Sequence, residues 1–254
     1  MHDVFTGKRG RIAVGLLIGE FATALQALVV ATILPRVVLD LHGLPAYPLA
    51  FVAFLAASIA VLPFAGPWSD RFGARRVLGT GFALLAIGTS VAALSASMPV
   101  FVGARLIEGA GAGLDYAISF AMIARLFPAP LRPRMFALMS TMWVVPSILG
   151  PFYGAFVATI FGWRWAFASF VPLIGLAALL MLPALDAGPA SGVPSDAYAA
   201  LRRLFSRATL YARDRTHTAY LAFALLHAGF FGADAYVRAA QCSSHNAPPA
   251  FGWW

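Results

Sequence analysis

Residues 12–34 read IAVGLLIGEFATALQALVVATIL, a run of 23 residues in which Glu20 is the one charged side chain. A helix of this length rises roughly 34 Å, enough to cross the ~30 Å hydrocarbon core of a bilayer. The run follows Lys8, Arg9 and Arg11, just as the apolar region of a secretory signal peptide follows basic residues. It is too long for such a region, and no small-residue cleavage site ends it. We therefore expect a retained transmembrane helix.

Further apolar blocks follow at residues 45–65, 77–95, 99–127, 135–160, 163–184 and, more weakly, 218–237. The 254 residues are 61% hydrophobic and 11% charged, whereas a soluble domain is roughly half apolar and a quarter charged. The blocks are continuous rather than alternating, which favours helices over the strands of an outer-membrane barrel. The sequence therefore predicts an all-α integral membrane protein.

Lysine and arginine are distributed unevenly between the connections. Fourteen of the 18 fall in the N-terminus and in alternate loops, and only Arg36 and Arg164 fall in the loops of the opposite side. Cytoplasmic loops carry the excess of basic residues, so we expect a plasma (inner) membrane protein with a cytoplasmic N-terminus. The basic residues do not gather with aromatic residues into one patch, so the net charge of +8 does not indicate a nucleic-acid partner.

The chain is predicted to divide into five parts. These are a cytoplasmic N-terminus (1–11), a six-helix transmembrane bundle (12–184), a cytoplasmic linker (185–217), a seventh helix (218–237) and an atypical tail (238–254). Within the linker, residues 201–211 fit an amphipathic surface helix or a solvated segment equally well. The tail continues no span and closes no domain, so we expect a truncated or frame-shifted reading frame there.

Five ionisable side chains lie inside the predicted spans: Glu20, Arg105, Glu108, Asp115 and Asp234. Each costs about 2.5–3.5 kcal/mol in a bilayer and must face a cavity or a partner. Arg105 and Glu108 are three residues apart and can pair on one helix face, which leaves a structural and a functional role open. Glu20 and Asp115 have no obvious partner nearby in the sequence. Burial favours the protonated form of such a carboxyl, so we predict that these two carry protons.

The connection between the second and third spans carries a distinctive pattern. It reads Gly66-Pro67-Trp68-Ser69-Asp70-Arg71-Phe72-Gly73-Ala74-Arg75-Arg76. This resembles the signature loop of the major facilitator superfamily, commonly G-x-L-A-D-R-x-G-R-R-x, with Ala74 in place of a frequent basic residue. Gly73 permits a tight turn, and Asp70 can cap a helix and pair with arginines.

Two further motifs fall where that superfamily has them. The fourth span carries Arg105-Leu106-Ile107-Glu108-Gly109-Ala110-Gly111-Ala112-Gly113, similar to R-x-x-Q-G-x-G-x-G, with Glu108 in place of the usual glutamine. The fifth carries Pro146 and then Gly150-Pro151-Phe152-Tyr153-Gly154-Ala155, which resembles the antiporter motif G-P-x-x-G-G. Small residues allow close helix packing, and proline kinks a span. From these motifs the chain is identified as a member of the superfamily.

The end of the first span, Gln26-Ala27-Leu28-Val29-Val30-Ala31-Thr32-Ile33-Leu34-Pro35, resembles the helix-1 motif of drug:proton antiporters. That motif carries an acid where Gln26 stands. The segment Gly162-Trp163-Arg164-Trp165 is also typical of this branch. Because Gln26 cannot bind a proton as an acid does, the expected carriers remain Glu20 and Asp115.

The resemblance implies two six-helix bundles, each made of inverted three-helix repeats, with substrate bound between them. We therefore expect the N-terminal half of a proton-coupled exporter of drugs or small metabolites, which needs a C-terminal half or another copy for a full pathway. The first and fourth spans would line the cavity, with Glu20, Gln26, Arg105, Glu108 and Asp115 as candidate residues. The Asp70 loop would act as a cytoplasmic latch, and the Gly150-Pro151 kink would seal the bundle.

Other functions remain open at this level. One is uptake of a sugar or small metabolite, and another is a non-transporting fragment or a small membrane interaction protein. An enzyme is disfavoured, because no H-E-x-x-H, G-x-S-x-G or paired-histidine metal pattern lies in or beside a span. The sequence predicts no cofactor and no metal site. Its single cysteine, Cys242, cannot form an intrachain disulfide.

Overall fold

A computed structural model describes residues 4–128 and 130–185 of the chain. These residues are helical and form no strand. The helices are α1 (Gly7–Asp40), α2 (Tyr47–Phe72), α3 (Ala74–Leu94), α4 (Met98–Leu126), α5 (Arg132–Ile160), α6 (Trp163–Ala168) and α7 (Phe170–Met181). Short 3₁₀ helices cover Leu44–Ala46 and Leu182–Ala184. The predicted linker, seventh span and tail lie outside the described residues.

Within the described residues, six apolar helical segments are long enough to cross a membrane, the last being Trp163–Ala184 as a whole. The predicted helical membrane class is thereby confirmed. Helix α1 has 34 residues and rises roughly 51 Å, so it extends beyond a hydrocarbon layer of ~30 Å. It therefore begins before and ends after the predicted run 12–34, because backbone hydrogen bonding continues into polar residues that a hydropathy pattern leaves out.

The sixth span is interrupted at one residue instead of forming the single helix that its hydropathy predicts. Pro172 has no amide hydrogen and cannot donate to the carbonyl of Ala168, four residues earlier. The interruption lies at Ser169, between α6 and α7. The Ser169 hydroxyl donates to the Ala166 carbonyl at 2.9 Å and accepts a hydrogen bond from the Tyr153 hydroxyl at 2.7 Å. The bond from Tyr153 links the interruption to α5.

Helices α1 and α4 form the centre of the bundle. Helix α4 packs against α2 and α3, while α1 packs against α5 and α7. In their most apolar windows 61% of the residues of α1 and of α4 are buried, compared with 22% for α2 and 28% for α5. Most of the buried polar side chains of the described residues are therefore carried by α1 and α4.

The fold repeats itself after 89 residues, as a pair of equivalent turns shows. Phe-Gly-x-Arg occurs at residues 72–75 and again at 161–164. Gly73 (φ 87°, ψ 143°) precedes α3 and Gly162 (φ 89°, ψ 156°) precedes α6, in a conformation that L side chains rarely adopt. Helices α1 to α3 thus correspond to α4, α5 and the α6–α7 pair. Because three spans separate the two turns, they lie at opposite ends of the bundle, which makes the repeat inverted.

Candidate functional site

A buried hydrogen-bond network joins α1, α3 and α4. The side-chain amide nitrogen of Gln26 donates to Thr89 Oγ1 at 2.9 Å and to Glu108 Oε1 at 2.6 Å. The other oxygen of Glu108 pairs with Arg105 Nη1, one turn earlier on α4. All four side chains are at most 2% exposed. The acid and the base, whose spacing predicts this pairing, therefore neutralise each other inside the bundle.

Arg105 extends the network to a fourth helix. Its Nε donates to the Ala50 carbonyl of α2 at 3.4 Å, and its guanidinium carbon lies 4.3 Å from the centre of the Phe54 ring. A cation over an aromatic face gains about 2 kcal/mol when both are desolvated. Helix α3 approaches α4 closely because Gly88 faces Glu108. A Cβ on Gly88 would lie 2.6 Å from the Glu108 backbone nitrogen.

A second buried cluster contains the two predicted proton carriers. Asp115 lies seven residues after Glu108, on the same face of α4 and roughly 10 Å further along its axis. Asp115 Oδ1 accepts a hydrogen bond from Ser119 Oγ at 3.1 Å, and Glu20 Oε1 accepts one from Trp143 Nε1 at 2.5 Å. Within residues 4–128 and 130–185, neither carboxyl has a cationic partner. Both are at most 4% exposed, and they are neighbours because Gly19, the residue before Glu20, lies against Asp115.

Aromatic rings form a partly exposed surface beside this second cluster. Trp143, which bonds to Glu20, is 42% exposed, and Tyr116, next to Asp115, is 45% exposed. From Tyr116 the rings continue through Phe120 at 4.5 Å to Phe136 on α5 at a further 5.5 Å between centres. Such π faces bind flat apolar groups and cations.

The two ends of the bundle carry different polar links. At the end with the Gly73 turn, Asp70 Oδ1 lies 3.9 Å from Arg125 Nη2, which connects α2 with α4. At the opposite end, Asp40 Oδ2 accepts hydrogen bonds from Arg164 Nη1 at 2.7 Å and Trp163 Nε1 at 3.0 Å. Arg164 Nη2 also donates to the Ser95 carbonyl of α3 at 3.1 Å. The second link is therefore the tighter one, and it ties α6 to the ends of α1 and α3.

The helix-5 motif packs against α1. A Cβ on Gly150 would lie 2.9 Å from Leu28 Cβ, and one on Gly154 would lie 3.2 Å from Val29 Cγ1. Helix α5 continues unbroken from Arg132 to Ile160 through Pro146 and Pro151. The two glycines thus allow the close α1–α5 contact that the sequence motif predicts.

The structure divides the five predicted cavity residues between the two clusters. The sequence does not predict three side chains that form hydrogen bonds with these residues: Thr89, Ser119 and Trp143. The Ser119 contact follows from helix periodicity, because it lies four residues after Asp115. Thr89 and Trp143 come from other helices, and only the packing reveals them. Asp234 lies outside the described residues.

Comparison with known families decides what kind of bundle this is. A sequence model described as "Major Facilitator Superfamily" matches residues 16–243, which is most of the chain. The chain belongs to the Major Facilitator Superfamily. Because its described residues also contain six apolar helical segments, the chain is a multi-pass membrane protein of a transporter superfamily.

Several superfamily relatives are multidrug transporters. Multidrug resistance protein 3 of Bacillus subtilis (strain 168) is 28% identical over 183 residues, which is 71% of this chain and 36% of that protein. A probable multidrug-efflux transporter of Mycobacterium tuberculosis is 32% identical over 157 residues, which is 62% of this chain and 33% of that protein. The chain spans about a third of the length of the curated relatives it matches.

Solved structures of two transporters show the same fold. A D-xylose-proton symporter superposes with a TM-score of 0.61 at 20% identity, covering 81% of this chain and 53% of that one. A peptide transporter POT superposes with a TM-score of 0.60 at 16% identity, covering 82% and 47%. At such identities the likeness concerns the fold alone.

Proposed function

We propose that the chain provides one six-helix bundle of a proton-coupled exporter of small apolar molecules, cations among them. Relatives named as multidrug transporters support the substrate class and the direction. The observation that carries the coupling is the contrast between two kinds of buried acid. Glu108 is neutralised by Arg105, whereas Glu20 and Asp115 have no cation beside them within the described residues. The unpaired acids are the ones that can exchange a proton.

The coupling follows from electrostatics in a medium of low dielectric. Ionised Glu20 and Asp115 attract a cationic solute that rests on the neighbouring rings, and protonation removes that attraction. Solute and proton therefore exclude each other at this cluster. A proton entering from one side of the membrane drives the solute out, provided that the bundle opens to the two sides in turn.

The orientation we propose places the N-terminus and the Gly73 turn in the cytoplasm, in a plasma membrane. The asymmetry of lysine and arginine among the loops supports it. The Asp70–Arg125 link then faces the cytoplasm as a latch, and the Asp40–Arg164 link faces outward. A cysteine placed at Ala74 in a Cys242→Ser background should resist a membrane-impermeant maleimide in intact cells, whereas one at Phe161 should react. The reverse pattern would refute the orientation.

A complete pathway requires a second bundle, supplied by the rest of a longer protein or by another copy of this chain. Superfamily transporters bind substrate between two bundles near the bilayer midplane. The low burial of α2 and α5, which flank the α1–α4 centre, supports a contact there. Glu20 and Asp115 would then lie beside the shared cavity.

The coupling is tested in proteoliposomes with an imposed pH gradient and a fluorescent lipophilic cation. We expect gradient-driven flux from the unmodified chain assembled with its second bundle, and loss of that flux when the chain carries the double substitution Glu20→Gln/Asp115→Asn. Ser140→Ala is the matched control, because Ser140 is exposed and bonds only to the Phe136 carbonyl of its own helix. Undiminished flux in the double variant would remove the two acids from the mechanism. Flux of sugars instead of the cation would favour uptake, and no flux at all would favour the non-transporting alternative.

A further inference from the structure

The inverted repeat makes two crossings of α1 and α4 equivalent. Positions 26 and 115 occupy the same place in the two repeats, and so do positions 19 and 108, each pair being 89 residues apart. At one crossing Gln26 bonds to Glu108 at 2.6 Å. At the other, Asp115 faces Gly19, and a Cβ on Gly19 would lie 3.5 Å from Asp115 Oδ2.

A second pair of contacts supports this correspondence. Glu20 bonds to Trp143 of α5, and the equivalent residues are Gly109 of α4 and Phe54 of α2. These two are also in contact, since a Cβ on Gly109 would run into the Phe54 carbonyl. The two crossings can therefore be compared side chain by side chain.

The two crossings differ in how many oxygens of the buried carboxyl accept a hydrogen bond from the described residues. Both oxygens of Glu108 are occupied, one by Gln26 and one by Arg105. Asp115 Oδ1 is occupied by Ser119, but no donor of the described part of the chain bonds to Oδ2. At the first crossing the acid Glu108 lies opposite the amide of Gln26. At the second crossing Gly19, whose side chain is a single hydrogen atom, lies opposite Asp115.

Gly19 is a neighbour of Asp115 Oδ2 that carries no side chain. A Cβ on Gly19 would lie 3.5 Å from Oδ2 and 3.4 Å from the Phe82 ring of α3, which donates no proton. Glu20 on α1 and Tyr116, the next residue of α4, are titratable groups near Asp115. The space beside Gly19 is therefore large enough for one small group in contact with Oδ2.

We propose that Gly19 is a positioning residue for proton exchange at Asp115, because its missing side chain keeps Oδ2 open to a proton donor. The inference rests on the proposed function, in which Asp115 carries a proton. In the exchange step an O–H bond of a hydronium ion breaks and an O–H bond forms at Oδ2, so a water molecule leaves with the electron pair and Asp115 becomes neutral. Ser119 continues to donate to Oδ1 throughout. Release reverses the step, and Asp115 returns the proton to a water molecule beside Gly19.

The test is the substitution Gly19→Ala. A methyl group at this position meets its neighbours at 3.4–3.5 Å, which is ordinary contact, so we expect the bundle to keep its fold. The same methyl occupies the approach to Oδ2. Gly103→Ala is the matched control, since a Cβ there meets nothing within 4 Å and lies on the same helix as Asp115. Circular dichroism and the thermal midpoint check that both variants are folded.

The readout is infrared spectroscopy of the whole chain in lipid. The carbonyl band of a protonated Asp115 is assigned as the band that Asp115→Asn removes, and its hydrogen–deuterium exchange rate is then measured. Blocking one hydrogen bond to a charged group corresponds to on the order of tenfold or more in rate, so we expect Gly19→Ala to slow exchange by that factor and Gly103→Ala to leave it unchanged. Gly19→Ser supplies a hydroxyl that can relay the proton, so it should exchange faster than Gly19→Ala.

The outcomes separate this inference from the proposed function. Exchange in Gly19→Ala as fast as in the unmodified chain would overturn the role of Gly19, and so would equal slowing by Gly19→Ser and Gly19→Ala. If Asp115→Asn removes no band at any pH, Asp115 binds no proton and both proposals fall. If the band slows as expected but Asp115→Asn leaves flux in proteoliposomes intact, Gly19 controls exchange at a carboxyl that does not drive transport.

Discussion

Replacing Arg105 by methionine tests whether the network of Gln26, Arg105 and Glu108 holds the bundle centre together. Methionine keeps an unbranched apolar stem but removes the guanidinium and its charge, which leaves Glu108 at 0% exposure with Gln26 as a donor. Breaking a buried ion pair by removing one partner costs about 3–5 kcal/mol. Loss of the bond to the Ala50 carbonyl and of the contact with the Phe54 ring adds about 1–2 kcal/mol.

The same reasoning predicts that removing both charges costs less than removing one. In Arg105→Met/Glu108→Leu no ion remains in the low-dielectric centre, and replacement of a buried pair by apolar residues is often neutral. Gln26 keeps its 2.9 Å bond to Thr89. We expect the double variant to be more stable than Arg105→Met alone by about 2 kcal/mol or more. Gln26→Leu should cost about 1 kcal/mol, because hydrogen bonds between membrane helices average ~0.6 kcal/mol and seldom exceed ~1.7.

Unfolding of the purified chain in mixed micelles, titrated with sodium dodecyl sulfate and followed by circular dichroism, measures these free energies. Ser140→Ala serves as the control and should stay within about 0.5 kcal/mol of the unmodified chain. A cost for Arg105→Met below about 1 kcal/mol, or additive costs in the double variant, would refute the reasoning. Either result would mean that apolar packing alone fixes how α1, α3 and α4 meet.

Three further predictions concern other contacts. Gly109→Val should destabilise the bundle by about 2 kcal/mol or more in the same titration, because its side chain would overlap the α2 backbone, whereas Gly103→Val should cost less than half as much. Arg164→Ala should cost only about 0.2–1 kcal/mol, since Arg164 and Asp40 are nearly half exposed, and the cost should shrink at high salt; a larger, salt-independent cost would contradict this. Trp143→Phe should lower gradient-driven flux about tenfold by removing a hydrogen bond of about 1.4 kcal/mol, and unchanged flux would contradict a role for that contact.

Hydropathy alone predicts most of the fold of the described residues, because a bilayer imposes one length on every span. The predicted runs 77–95 and 99–127 differ from α3 and α4 by at most three residues at either end. Larger differences occur where other forces set the helix ends. Helix α1 reaches Asp40 because its backbone hydrogen bonding continues past Pro35 and Arg36, and the sixth span breaks at Ser169 because Pro172 lacks a donor.

The candidate site is only partly predictable, since it depends on how each helix is rotated about its axis. The Arg105–Glu108 pair follows from a spacing of three residues on one helix. The Gln26–Glu108 bond joins residues 82 positions apart and needs the α1–α4 crossing, which no local pattern specifies. For the same reason Glu20, which has no partner near it in the sequence, proves to be bonded to Trp143.

The inverted repeat explains why one frame can hold two unlike clusters. The conformations of Gly73 and Gly162 determine where the two turns lie, and the equivalent crossings determine where side chains meet. The repeat does not determine which residue types occupy the crossings. At one crossing an amide and an acid bind each other, and a neighbouring arginine neutralises the acid, so both oxygens of that carboxyl are bonded. At the other, glycine takes the place of the acid, and Asp115 keeps a carboxyl oxygen without a bond from the described residues. The exporter that we propose needs both arrangements, because its bundle would have to move as a rigid body while it exchanges protons, and the repeat supplies one of each.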